Sequence, residues 1–120
     1  MAQLKVLLVD DEEELVVTLS KRLKLRGIDT EYVTSGEEAI TSVHNKDYDA
    51  VILDINLPGI QGVELMDKIE EKKKDMKFIL VTGYGDSHEV PRQMRKRAAF
   101  LLVKPVDIKD LVSKIEELCQ

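Results

Sequence analysis

Short apolar runs alternate with amphipathic stretches along this chain, and that alternation constrains its fold more than any other feature. Runs rich in Val, Ile and Leu cover residues 4–10, 50–54, 78–82 and 100–104. Continuous apolar strands of this kind are typical of parallel sheets whose two faces are both covered by helices. Residues 30–34 are more polar and β-branched, which predicts a strand at the edge of that sheet.

Amphipathic segments occupy the intervals between the predicted strands. Three of them carry apolar stripes at helical spacing, namely Leu15-Leu19-Leu23, Val63-Met66-Ile69 and Ile108-Leu111-Ile115-Leu118. Gly27 predicts the end of the first helix, Ser35 and Glu38 form a capping box for the second, and Asp107 is a suitable N-cap for the last. Five strand-then-helix units predict an α/β fold, a doubly wound parallel sheet flanked by five helices.

Length and composition indicate one globular domain spanning residues 1–120. Hydrophobic residues make up 43% of the chain and charged residues 34%, and no apolar run approaches the ~20 residues of a membrane span. Cys119 is the only cysteine, so we expect no intrachain disulfide and a reducing, cytoplasmic location. The formal net charge of −5 argues against nucleic acid as the main partner.

Charged and polar side chains stand where the predicted strands end. The first strand ends in Asp10-Asp11, the third in Asp54, the fourth in Thr82 and the fifth in Lys104. Because ligand sites of doubly wound sheets form at the carboxyl ends of the strands, we expect these side chains to converge.

Such a group of side chains suits one kind of chemistry. Clustered carboxylates repel one another at low dielectric, and a hard divalent cation such as Mg²⁺ relieves that repulsion. Lys104 adds a positive charge suited to phosphate, and the Thr82 hydroxyl is a donor for a phosphoryl oxygen. A nucleophilic carboxylate, a metal and a cation are what phosphoryl transfer to an aspartate requires.

Four short motifs contain these strand-end residues. They are Val9-Asp10-Asp11, Leu53-Asp54-Ile55-Asn56-Leu57-Pro58-Gly59, Val81-Thr82-Gly83-Tyr84-Gly85 and Val103-Lys104-Pro105. With these motifs, in this order and spacing, the chain resembles the receiver domains of two-component response regulators over nearly its whole length. The resemblance implies a flavodoxin-like sheet of strand order 2-1-3-4-5. It also implies a sensor histidine kinase or a histidine phosphotransfer protein as the phosphodonor.

The resemblance further assigns the acceptor and the metal ligands. Asp54 is implied as the phosphoacceptor. Asp10, Asp11 and Asp54, together with the backbone carbonyl of Asn56, are implied as ligands of Mg²⁺. The output surface of the family is the face formed by the fourth helix, the fifth strand and the fifth helix. We therefore expect a switch domain that catalyses only its own phosphorylation and dephosphorylation.

Other roles concern the switch. By resemblance, Thr82 contacts the phosphoryl group and moves on activation, and Lys104 bridges the phosphoryl group and the carboxylate. The Lys104–Pro105 peptide bond is implied to be cis. Tyr84 and Asn56 flank the predicted site, and we expect them to tune the access of water to the acyl phosphate.

Two features depart from the family pattern. An aromatic residue often stands three positions before the lysine, but that position is Leu101 here, and Phe100 faces the other side of the strand. Pro91 falls within the fourth helical stretch, which predicts a short helix starting near Val90 or Pro91. Four basic residues in this stretch indicate a solvated face or, as the alternative, a docking surface for an acidic partner, namely Arg92, Arg95, Lys96 and Arg97.

Two other classes of protein compete with this interpretation. A haloacid-dehalogenase-like aspartyl-phosphate phosphatase also places a nucleophilic aspartate at a strand end, but it carries a second aspartate where this chain has Asn56. A flavodoxin-like flavin carrier requires a phosphate-binding loop after the first strand, where this chain has an acidic run. The phosphatase is retained as the alternative function.

Overall fold

The computed structural model describes residues 3–60, 62–83 and 90–119. These residues form five strands and five helices that alternate along the chain. In chain order the elements are β1 (Lys5–Val9), α1 (Glu13–Leu25), β2 (Asp29–Val33), α2 (Gly36–Asn45), β3 (Ala50–Asp54), α3 (Gly62–Lys72), β4 (Phe78–Thr82), α4 (Arg92–Arg97), β5 (Phe100–Val103) and α5 (Ile108–Leu118). All strand pairs are parallel and the order is β2-β1-β3-β4-β5, which confirms the predicted fold.

The sheet has an apolar core on each of its two faces. Along β1, Leu7 and Val9 pack on the side covered by α2, α3 and α4, whereas Val6 and Leu8 pack on the side covered by α1 and α5. Every residue of β3 and β4 is buried. Burial on both faces explains why these strands are apolar without alternation.

β2 lies at one edge of the sheet, as its polar sequence predicts. Tyr32 on this strand is exposed, and the neighbouring Glu31 carboxylate accepts a hydrogen bond of 2.6 Å from the Tyr48 hydroxyl. Lys46 Nζ lies 3.0 Å from the same carboxylate. Charged side chains along an edge strand disfavour pairing with another chain.

The predicted helix boundaries are confirmed by their hydrogen bonds. Ser35 Oγ accepts from the Glu38 backbone N–H at 3.1 Å, and Asp107 Oδ1 accepts from the Lys109 N–H at 3.0 Å. Gly27 follows α1 with a φ of +86°, the left-handed conformation that glycine adopts without strain. None of the described helices is both long and apolar enough to span a bilayer.

α4 is short, as the position of Pro91 predicts. The helix has six residues and begins at Arg92, directly after Pro91. Arg97 ties its last turn to α3, because the guanidinium donates to Asp67 Oδ1 at 2.7 Å and also to Glu70. Residues 84–89, where an earlier start of this helix near Asp86 would fall, lie outside the residues that the structure describes.

Candidate functional site at the carboxyl ends of the strands

Strand geometry directs three charged side chains toward the same face of the sheet. Asp10, Asp54 and Lys104 each follow, by two positions, a core residue on the side of α1 and α5. Those core residues are Leu8, Ile52 and Leu102. Because side chains two positions apart point to the same face, the three charges converge as predicted.

Lys104 connects the group. Its ammonium lies 3.0 Å from Asp54 Oδ2 and 3.1 Å from Asp10 Oδ2. A third carboxylate oxygen, Glu12 Oε1, lies 2.7 Å away. Burial alone lowers the pKa of Lys104, but the three carboxylates outweigh it and hold that pKa well above its usual range.

Three carboxylates stand close enough to share a cation. One oxygen from each of Asp10, Glu12 and Asp54 lies within 4.8 Å of the others. Burial raises the pKa of Asp10, helped by the nearby charge of Asp54 and opposed by the Glu12 backbone N–H and by Lys104. A set of hard oxygen donors with excess negative charge fits Mg²⁺.

Thr82 contributes an unsatisfied hydroxyl at the same rim. Its side chain is fully buried, and its Oγ1 has no hydrogen-bond partner within the described residues. Burying a hydroxyl without a partner costs about 1–3 kcal/mol. The backbone carbonyl of Thr82 does accept a hydrogen bond, from the Lys104 N–H at 2.8 Å. The hydroxyl of Thr82 is therefore a buried, unsatisfied hydrogen-bonding group at the end of β4.

The loop after β3 orients the Asp54 carboxylate. The backbone N–H of Asn56 donates to Asp54 Oδ1 at 3.0 Å, and the other oxygen, Oδ2, contacts Lys104. Ile55 N–H donates to the Val81 carbonyl at 3.0 Å and so extends the sheet by one bond. The role of the Asn56 backbone carbonyl as a metal ligand stays a prediction.

The structure brings Glu12 into the site, and the sequence analysis missed it. Asp11 is exposed and is not one of the three clustered carboxylates in the described part of the chain, so its role as a ligand stays a prediction. Glu12 occupies the N-cap of α1 without capping it. The N-cap position of a helix favours Ser, Thr, Asp or Asn, so a glutamate there is a sequence feature that could have indicated a role for Glu12 outside the helix.

The remaining predicted residues have mixed outcomes. The Lys104–Pro105 bond is cis, as predicted. Leu101 packs on the α2–α4 side, and Phe100 packs on the opposite side with Lys114 Nζ 5.1 Å from its ring, which confirms that they face apart. Tyr84 lies outside the described residues, so its predicted role is untested.

Fold and site together define a CheY-like domain of two-component signalling, and comparison with known proteins agrees. The model of the response regulator receiver domain matches residues 6–116. The chain therefore belongs to the response regulator receiver domain family. These comparisons give no support to the alternative of a haloacid-dehalogenase-like phosphatase.

Similar proteins come from several bacteria. The chain is 34% identical to the response regulator protein FleR of Pseudomonas aeruginosa, over 92% of this chain and 24% of FleR. It is 30% identical to the response regulator SaeR of Staphylococcus aureus, over 94% of this chain and 49% of SaeR. The chain thus spans about a quarter to a half of the length of these relatives.

Solved structures show the same architecture. A CheY-like receiver domain from Methylobacillus flagellatus superposes with a TM-score of 0.87 at 28% identity, covering 98% of this chain and 99% of that one. The response regulator protein TrrA of Thermotoga maritima, in complex with Mg²⁺ and BeF, gives a TM-score of 0.84 at 36% identity. That match covers 97% of this chain and 99% of TrrA.

Proposed function

We propose that this domain accepts a phosphoryl group on Asp54 from a sensor histidine kinase or a histidine phosphotransfer protein, and that the modification switches its output face. The observation that carries the proposal is the contact of 3.0 Å between Lys104 Nζ and Asp54 Oδ2. The adjacent strand β4 ends in Thr82, whose buried hydroxyl has no partner within the described residues. A cation in contact with a buried carboxylate, and an unsatisfied hydroxyl at the end of the adjacent strand, suit an acyl phosphate formed on that carboxylate.

The transfer uses Asp54 as the nucleophile. A carboxylate oxygen forms a bond to phosphorus while the bond between phosphorus and the donor histidine nitrogen breaks, and the bonding pair stays on that nitrogen. Lys104 and Thr82 donate hydrogen bonds to the phosphoryl oxygens. Asp10 and Asp54, with Asp11 and the Asn56 carbonyl as predicted ligands, would hold Mg²⁺, which would supply positive charge against the phosphoryl oxygens. The same residues hold the acyl phosphate until water removes it.

Incubation with acetyl phosphate and Mg²⁺ tests the acceptor directly. We expect intact-mass spectrometry to show one added phosphoryl group on the wild type and none on Asp54→Ala, because the nucleophilic oxygen is removed. Asp75→Ala, at an exposed loop position, is the matched control and should be modified like the wild type. Modification of Asp54→Ala, or turnover of a generic phosphate ester by the wild type, would contradict the proposal.

The output face is proposed as α4, β5 and α5, with an acidic protein segment as its partner. Arg92 and Lys96 are exposed on α4, and Val103 of β5 is 42% exposed. Arg97 is a poor choice for mutation, since it holds α4 to α3 through Asp67 and Glu70.

Charge reversal at Arg92 and Lys96 tests this surface. We expect a polyglutamate peptide to perturb the amide NMR signals of α4 and β5 in the wild type, and the double variant Arg92→Glu/Lys96→Glu to lose that response. The reversal Lys21→Glu/Lys24→Glu on exposed positions of α1 is the control and should keep it. Equal binding by all three proteins would mean that the basic residues of α4 are only solvated.

The boundaries and location of the domain are also proposals. We infer that residues 1–120 form one receiver unit that works in the cytoplasm. The free thiol of Cys119 and the family match over residues 6–116 support this. Cell fractionation that recovered the protein outside the cytoplasm would contradict the location.

A further inference from the structure

Glu12 forms a contact that its place in the helix does not explain. It is the N-cap residue of α1, yet its side chain makes no capping hydrogen bond. Its carboxylate instead lies 2.7 Å from the ammonium of Lys104, which is 92 residues away in sequence. A residue that leaves the helix N-terminus uncapped gives up about 1 kcal/mol of local stability, so its contact elsewhere needs an explanation.

The contact with Glu12 occupies the third N–H donor of the Lys104 ammonium. An ammonium group has three N–H donors. The three carboxylates of Glu12, Asp54 and Asp10 lie within 3.1 Å of Nζ and match those donors in number. While Asp54 is still a carboxylate, Lys104 can bind an oxygen of an incoming phosphoryl group only if one of these contacts is released.

Exposure identifies the contact that is released. The Glu12 side chain is 61% exposed, whereas that of Asp10 is 10% and that of Asp54 is 4% exposed. Water can replace the ammonium at an exposed carboxylate with little loss of free energy, but not at a buried one. Lys104 therefore exchanges Glu12 for the incoming group at the lowest cost.

We propose that Glu12 is a positioning residue that holds Lys104 over Asp54 before phosphorylation and must release it for the phosphoryl group to bind. The proposal rests on the function proposed above. Holding the ammonium stabilises the unphosphorylated site, and the required release slows capture of a phosphoryl group from a small anionic donor.

Two substitutions distinguish the effect of the length of the Glu12 side chain from the effect of its charge. Glu12→Asp keeps the charge and shortens the side chain by one methylene, so the carboxylate no longer reaches Lys104. Glu12→Gln keeps the length and removes the charge. At Mg²⁺ concentrations that saturate each protein, we expect both variants to be phosphorylated by acetyl phosphate roughly three times faster than the wild type, the size of one exposed ion pair. Glu13→Gln removes a neighbouring charge of α1 and should match the wild type.

A spectroscopic readout makes the test independent of phosphoryl transfer. We expect the Lys104 Nζ protons of the metal-free wild type to exchange slowly with water, and those of Glu12→Asp to exchange several times faster. Acceleration by Glu12→Gln alone would assign the effect to charge repulsion and overturn the proposal, as would unchanged Nζ exchange. A wild type that takes up no phosphoryl group would defeat the proposed function, while the Nζ exchange would still decide the role of Glu12.

Discussion

Lys104→Met is expected to lower the free energy of unfolding of the metal-free domain by about 2 kcal/mol at neutral pH. This loss lies between those expected for breaking an exposed ion pair and for breaking a buried one. Methionine keeps an apolar stem of similar length and removes the ammonium. The variant leaves three carboxylates within 4.8 Å of one another and without their shared cation. Urea unfolding of both proteins, with metal removed by a chelator, measures the difference.

Added Mg²⁺ should reverse much of that loss. The ammonium and the metal compete for the same carboxylate oxygens, so the variant should bind Mg²⁺ more tightly than the wild type. We therefore expect a fixed Mg²⁺ concentration to raise the free energy of unfolding more in Lys104→Met than in the wild type. The variant should nevertheless respond poorly to beryllofluoride, because this phosphoryl mimic then lacks the ammonium group that binds it.

The exposed Lys21 of α1 provides the matched control, since Lys21→Met removes the same charge at a distant solvated position. It should change the free energy of unfolding by less than about 0.5 kcal/mol. If Lys104→Met were as stable as the wild type without metal, water would already solvate the three carboxylates. The ammonium would then contribute nothing to the resting site.

The sequence predicts the sheet because its signals are local and agree with one another. Buried strands such as β3 and β4 are apolar throughout, and Ser35, Asp107 and Gly27 mark helix ends through side-chain or backbone chemistry that acts within a few residues. Parallel strands then place their carboxyl ends along one rim. Asp10, Asp54 and Lys104 can therefore be assigned to one site from the sequence alone.

The features that could not be predicted from the sequence depend on packing and on contacts between residues that are far apart along the chain. The pairing of Glu12 with Lys104 joins two loops 92 residues apart, and nothing in the acidic run distinguishes which of its carboxylates turns inward. The attachment of Arg97 to α3 is similar, since a basic run usually indicates a solvated face. The absence of a partner for the Thr82 hydroxyl within the described residues likewise follows only from packing.

Replacing Thr82 with valine should therefore affect stability and signalling in opposite directions. Valine has nearly the same shape as threonine and suits a buried strand such as β4. Because the hydroxyl is buried without a partner in the described structure, we expect Thr82→Val to raise the free energy of unfolding of the unphosphorylated domain by about 1 kcal/mol.

Thr30 offers a matched control within the same sheet. It is also buried on a strand, but its Oγ1 donates to the Ile28 carbonyl at 3.0 Å. Thr30→Val deletes that hydrogen bond and should lower the free energy of unfolding by about 1 kcal/mol. The two isosteric substitutions should thus differ by about 2 kcal/mol in urea unfolding.

The phosphoryl mimic beryllofluoride with Mg²⁺ then reports the function of the hydroxyl. If Thr82 donates to the phosphoryl group, the mimic gives the wild-type hydroxyl a partner and stabilises the wild type more than Thr82→Val, while Thr30→Val responds like the wild type. Equal stabilisation of all three proteins would show that Thr82 does not bind the phosphoryl group. A loss of stability in unphosphorylated Thr82→Val would show that its hydroxyl already has a partner, such as water, in the resting state.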